Sequence, residues 1–176
     1  MKLNKIMLAA VMALGVSSLA HAADEGHGKV TFTGSIIDAP CSIAPDSLDQ
    51  TVELGAISNV ALKNGGGSNP RPFSIKLENC ELTDAKKSVA LTFSGAKSAA
   101  DETLLGITGS AKGAGIAITD GAGTIITLGT PSKAQGLLNG SNTLAFSAYL
   151  KGASASDAVI TPGDFQSVAD FTLAYQ

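Results

Sequence analysis

Apolar and polar residues alternate with a period of two over much of the chain. Phe73, Ile75 and Leu77 share one face of an extended segment, as do Val89, Leu91 and Phe93, and as do Leu144, Phe146, Ala148 and Leu150. Successive side chains of a strand point to opposite faces, so these runs predict sheets with one face on a core and the other in water. Strands are predicted at residues 29–37, 51–57, 73–77, 88–94, 115–119, 125–128, 143–150 and 165–175. Breakers lie between them: NGGGSNP at 64–70 is a loop, DGAG at 120–123 joins two short strands as a hairpin, and NGSN at 139–142 is a turn. Residues 130–138 leave room for a short helical turn. Short strands with regular turn signals, no persuasive amphipathic helix and no internal repeat predict an all-β fold, an antiparallel sandwich of the immunoglobulin-like type.

The beginning of the chain departs from this pattern. Residues 1–5 are short and basic, residues 6–20 are continuously small and apolar, and Ala20, His21 and Ala22 supply an A-x-A cleavage site, so residues 1–22 read as a secretory signal peptide. An apolar run of 15 residues is shorter than the roughly 20 that cross a bilayer, and no later stretch comes closer, so no stable membrane insertion is expected. The 154 residues that remain are enough for one domain. With 44% hydrophobic and 15% charged residues the chain is not disordered, and its 20 glycines suit frequent turns. Losing Lys2 and Lys5 with the leader leaves 10 basic against 15 acidic residues, which excludes nucleic acid as a partner. Export also places Cys41 and Cys80 in an oxidising compartment, where a lone pair reads as a disulfide. With His27 as the only other soft ligand after the leader and no CxxC, no metal site is expected.

Catalytic chemistry finds little to work with. His27 sits in a polar tail between Gly26 and Gly28, the adjacent acidic pairs Asp24–Glu25 and Asp101–Glu102 fall in polar stretches, and there is no P-loop. The chain has no tryptophan, and Tyr149 and Tyr175 lie on predicted strands, which weakens a lectin reading. The expectation is a protein that is not an enzyme, with no catalytic residues and no cofactor.

Five segments carry a resemblance. The run GHGKVTFTGSIIDAPCSI at 26–43, DQTVELG at 49–55, FSIKLENC at 73–80, the terminal FTLAYQ at 171–176 with Tyr175 penultimate, and Gly163 upstream of it together resemble the major pilins of chaperone-usher fimbriae, of the type 1, P and MR/P kinds. The resemblance covers essentially the whole chain after the leader. It implies a six-stranded immunoglobulin-like sandwich lacking its last strand, with an amino-terminal donor-strand extension at 23–33 and a pilin domain at 34–176. It further implies a groove along the carboxy-terminal strand, lined by Ala169, Phe171, Leu173 and Tyr175, which with Gly163 a periplasmic chaperone recognises. In the fibre, the extension of another subunit would fill that groove, offering Gly26, Gly28, Val30 and Phe32 on one face. The implied partners are other copies of the same chain, the chaperone, an outer-membrane usher, and adaptor or adhesin subunits, on a route through the periplasm to a cell-surface fimbria that supports adhesion. A minor or adaptor pilin and a stand-alone periplasmic β-sandwich binding module are the alternatives. An adhesin would need a further receptor-binding domain, for which one domain leaves no space.

Overall fold

The computed structural model describes residues 28–83, 85–155 and 158–176. The signal peptide, Gly26 and His27 lie outside the described residues. The chain divides into two compact units, residues 1–36 and 37–176. In the first, residues 28–36 have no secondary structure and are exposed throughout, so the strand predicted at 29–37 is not formed. A strand exists only when its N–H and C=O groups find a neighbouring strand, and these residues have none here.

The second unit is built from antiparallel strands. In chain order they are β1 (Ser42–Ile43), β2 (Arg71–Cys80), β3 (Ser88–Gly95), β4 (Thr108–Gly109), β5 (Ala114–Asp120), β6 (Gln135–Gly136), β7 (Gly140–Gly152), β8 (Phe165–Gln166) and β9 (Ala169–Tyr175). One sheet has the order β1-β2-β7-β5, a second β6-β3-β9, and β4 and β8 form a separate pair. The register sets apolar residues opposite one another: Ile75 faces Leu144 and Phe73 faces Phe146 in the first sheet, while Leu91 faces Leu173 and Phe93 faces Phe171 in the second. The two sheets meet in a core of Ile75, Leu77, Val89, Leu91, Leu144 and Phe146. At its centre the ring of Phe93 packs edge-on to Phe146 at 5.3 Å, and Phe73 stacks on Phe146 at 5.6 Å.

The strong alternations at 73–77, 88–94, 115–119 and 143–150 are all strands, β3 and β5 slightly longer than predicted and β2 and β7 extended further at both ends. Residues 165–175 split in two, because Phe165 and Gln166 pair with β4 whereas Ala169–Tyr175 pair with β3. The hairpin at 120–123 is present. Asp120 Oδ1 accepts from the N–H groups of Ala122 and Thr124, and Gly123 takes the left-handed φ of 82° that the turn needs. Its outgoing arm, predicted as a strand at 125–128, makes only the single bridge from Ile125 to Thr119. No helix forms at 130–138, where β6 and Ser132 instead bind β3, with Ser132 Oγ accepting from Leu91 N at 3.0 Å. Two helical turns lie elsewhere. Helix α1 (Pro45–Leu48) starts on proline, whose missing N–H costs nothing at a helix start, and a 3-10 segment (Asn59–Gly65) is capped by Ser58 Oγ. Cys41 and Cys80 form a disulfide with their Cα atoms 4.1 Å apart, tying the segment before β1 to the end of β2.

Candidate functional site

β9 pairs on one side only, with β3, and its other edge has no strand beside it among the described residues. Alternation along it is clean: Asp170, Thr172 and Ala174 are exposed, and Ala169, Phe171, Leu173 and Tyr175 turn toward the core. Those inward residues are only half-buried, although Val89 and Leu91 opposite them on β3 are fully buried. An apolar face left partly open beside a free edge exposes the chain to association with any available strand.

The opening is a groove of 1380 Å³, larger than ordinary small-molecule sites. Phe73, Ile75, Phe93, Ile116 and Ile118 contribute to its apolar lining; residues 160–171 form one wall, and residues 47–59 contribute another. A smaller cavity of 370 Å³ adjoins Phe171, Leu173 and Tyr175 and is lined also by Ile37, Ala39 and Ile43. The segment 51–57, predicted as a strand, is not one. Its alternation holds over 51–55, with Val52 and Leu54 half-buried and Thr51, Glu53 and Gly55 exposed, and breaks at exposed Ala56 before half-buried Ile57; no ladder partner lies beside it among the described residues. The start of β9, paired on one edge only, and the unpaired segment 51–57 therefore border one apolar groove.

Polar groups are sparse in this region. The Tyr175 hydroxyl is buried without a hydrogen-bond partner among the described residues, and burial raises its pKa above the ordinary 10.0. Gly163 lines the wall at 160–164. Its φ is 155°, and a Cβ there would run into Ser110 Oγ and come within 2.8 Å of Ala111 N. Asp164 is stitched to the same residues, accepting from Ser110 N at 3.0 Å and Ala111 N at 3.1 Å. Close packing thus requires glycine at 163 independently of any partner.

In the exposed segment Val30 is 74%, Phe32 90% and Ile36 104% exposed. Gly28, Val30, Phe32, Gly34 and Ile36 fall on one face of an extended chain. Ile36 lies beyond the extension expected at 23–33, and its position two residues after Gly34 is the sequence signal that places it on the same face. The groove residues Val52, Leu54 and Ile116 carry no site role in the sequence, since their strands read as ordinary sandwich strands, whereas Phe165 lies on the carboxy-terminal strand that the resemblance sets beside the groove. Among the described residues no group of three or more His, Cys, Asp or Glu side chains could hold a metal ion, and no helix is long and apolar enough to cross a membrane.

An all-β sandwich of the immunoglobulin-like type, with an open groove beside its last strand, is the fold of chaperone-usher pilus subunits. The chain belongs to the Fimbrial protein family, whose model matches residues 30–176. It is 68% identical over 176 residues to the Fimbria A protein of Serratia marcescens, with all of both chains covered. It is 57% identical over 182 residues to the Major MR/P fimbria protein of Proteus mirabilis (strain HI4320), again covering 100% of each. Among solved structures, the subunit of a chaperone-usher pilus described for its rod uncoiling superposes with a TM-score of 0.76 at 36% identity, covering 86% of this chain and 97% of that one.

Proposed function

We propose that this chain is a structural subunit of a cell-surface fimbria, exported through the periplasm and polymerised by donor-strand exchange. The observation that carries the reading is β9, an edge strand whose apolar face is half-open along a groove bordered by a second unpaired segment. A strand laid into that groove would satisfy backbone groups and cover apolar side chains at once, which is the mode of β-strand addition. In the periplasm a chaperone would supply the strand; at the usher, the extension of another subunit would replace it. Residues 1–22 would be removed, and 23–33 would act as the donor, with Gly26, Gly28, Val30 and Phe32 facing the groove. Ile36 continues that face and lengthens the donor by one more apolar residue. Burying Val30 and Phe32, now exposed to water, would contribute about 1.5–3 kcal/mol each. The acceptor side is Ala169, Phe171, Leu173 and Tyr175, and Gly163 keeps the adjoining wall closely packed. Adaptor or adhesin subunits would join the same fibre through the same joint. The chain would do no catalysis, its role being mechanical and adhesive.

The test separates folding from assembly. A chain beginning at Ile37 is expected to fold, to bind a synthetic peptide of residues 23–36, and to form no fibres in electron micrographs of cells that depend on it. Fibres of normal length from the truncated chain would overturn the donor role.

A further inference from the structure

The edge of β2 is closed by side chains where a strand would be expected. Beside it β1 is only two residues long, pairing Ser42 with Glu78 and Ile43 with Leu77. Glu78, Lys76, Ser74 and Pro72 present their backbone groups to this same edge, since alternate residues of a strand do so. Past β1, Lys76 O accepts from Ala44 N at 3.0 Å, Lys76 N donates to Ser47 Oγ at 3.0 Å, and Ser74 O accepts from Gln50 Nε2 at 3.0 Å. Asp46 adds an ion pair to Lys76 Nζ at 2.6 Å. Next along the edge is Pro72, which has no N–H to leave unpaired. Ser47 is buried, while Gln50 is exposed and donates a second, longer bond to Ser47 O at 3.3 Å. The two side chains occupy the sheet edge that residues 49–57 would otherwise extend along, and 49–57 lines the groove instead.

We infer that Ser47 and Gln50 are positioning residues for strand capture: by occupying Lys76 N and Ser74 O on the edge of β2 they hold residues 49–57 off the four-stranded sheet, ready as the second border of the groove. The inference rests on the donor-strand reading above. Its physical content is pre-organisation. With the groove empty, 51–57 has no ladder to order it, so its anchor at Gln50 limits the conformations it can adopt. Once a strand is inserted, the new ladder holds the segment directly. Loss of the anchors therefore falls on the rate of capture and leaves the filled state little changed.

The experiment uses the full, disulfide-bonded chain, refolded at nanomolar concentration and mixed with an excess of fluorescently labelled peptide of residues 23–36. Association and dissociation are followed separately by anisotropy. Gln50→Ala is expected to slow uptake several-fold, and Ser47→Ala with Gln50→Ala about tenfold, as two or three hydrogen bonds of ordinary worth are lost. Dissociation should stay within about twofold of wild type. Because Gln50 is exposed, its truncation decides the matter even if the double variant folds poorly. Unchanged uptake by Gln50→Ala, or dissociation accelerated as much as uptake is slowed, overturns the positioning role. A wild-type chain that takes up no peptide at all overturns the donor-strand reading itself.

Discussion

Tyr175 carries the most unusual polar atom described. Its ring lies half-buried on the inward face of β9, yet its hydroxyl is enclosed and has no acceptor among the described residues. An enclosed hydroxyl without a partner costs about 1–3 kcal/mol, so Tyr175→Phe is expected to raise the denaturant midpoint of the unfilled domain. The ionisation has a definite sign. Burial raises the folded pKa above the unfolded value, so the tyrosine's contribution is fully present below pH 10 and is lost as pH rises through the folded pKa. Wild-type stability should therefore fall relative to Tyr175→Phe above pH 10, as denaturant titrations of the two chains at stepped pH would show. Gly163 teaches a different lesson. A larger residue there collides with Ser110 and Ala111, so loss of chaperone binding by such a variant would report damaged packing as much as lost recognition.

Donor and acceptor roles sit on separate elements, and that separation can be read out. Phe32 is 90% exposed, so Phe32→Asp should leave its own domain folded and able to accept a strand while preventing it from donating one. Mixed with wild-type subunits it is expected to shorten fibres in proportion to its share, as fibre lengths in electron micrographs would measure. Alternation was enough to find β2, β3, β5, β7 and β9, because each turns an apolar face toward the core of its own domain. The same alternation at 29–37 and 51–57 was read as strand and is unpaired in the structure. Periodicity records that one face of a segment is apolar; it carries nothing about which chain supplies the neighbour. At 125–128 the backbone turns to another partner after one bridge, Leu128 N donating to Thr103 O at 3.0 Å. The proline that starts α1 was visible in the sequence, but four residues of helix leave no periodic trace.

Within the domain the disulfide closes a loop with a sequence separation of 39, which restricts the unfolded chain by about 4 kcal/mol in the loop-entropy model. It also fixes residue 41 just ahead of the segment that leads to the groove. Reduction, or Cys41→Ala with Cys80→Ala, is expected to lower the unfolding free energy of the unfilled domain, read from denaturant titrations, by about 4 kcal/mol, with strand uptake lost under conditions where the oxidised chain still binds peptide. Fibres assembled beforehand should resist reduction better, because an inserted strand stabilises the same fold by binding only the folded state.

The chain's own residues already specified an exported, strand-built domain with one disulfide and no evident catalytic chemistry. Alternation, turn residues and two lone cysteines are local properties, and each has a local physical cause. The resemblance supplied the open groove as an expectation, with Phe171, Leu173 and Tyr175 along it. Only the tertiary structure decided that β9 keeps a free edge, that 51–57 borders the groove unpaired, and that Ser47 and Gln50 close the edge of β2. Those outcomes depend on which backbone groups find partners across tens of residues, and hydrogen bonds between distant strands leave no imprint on the residues that flank them in sequence.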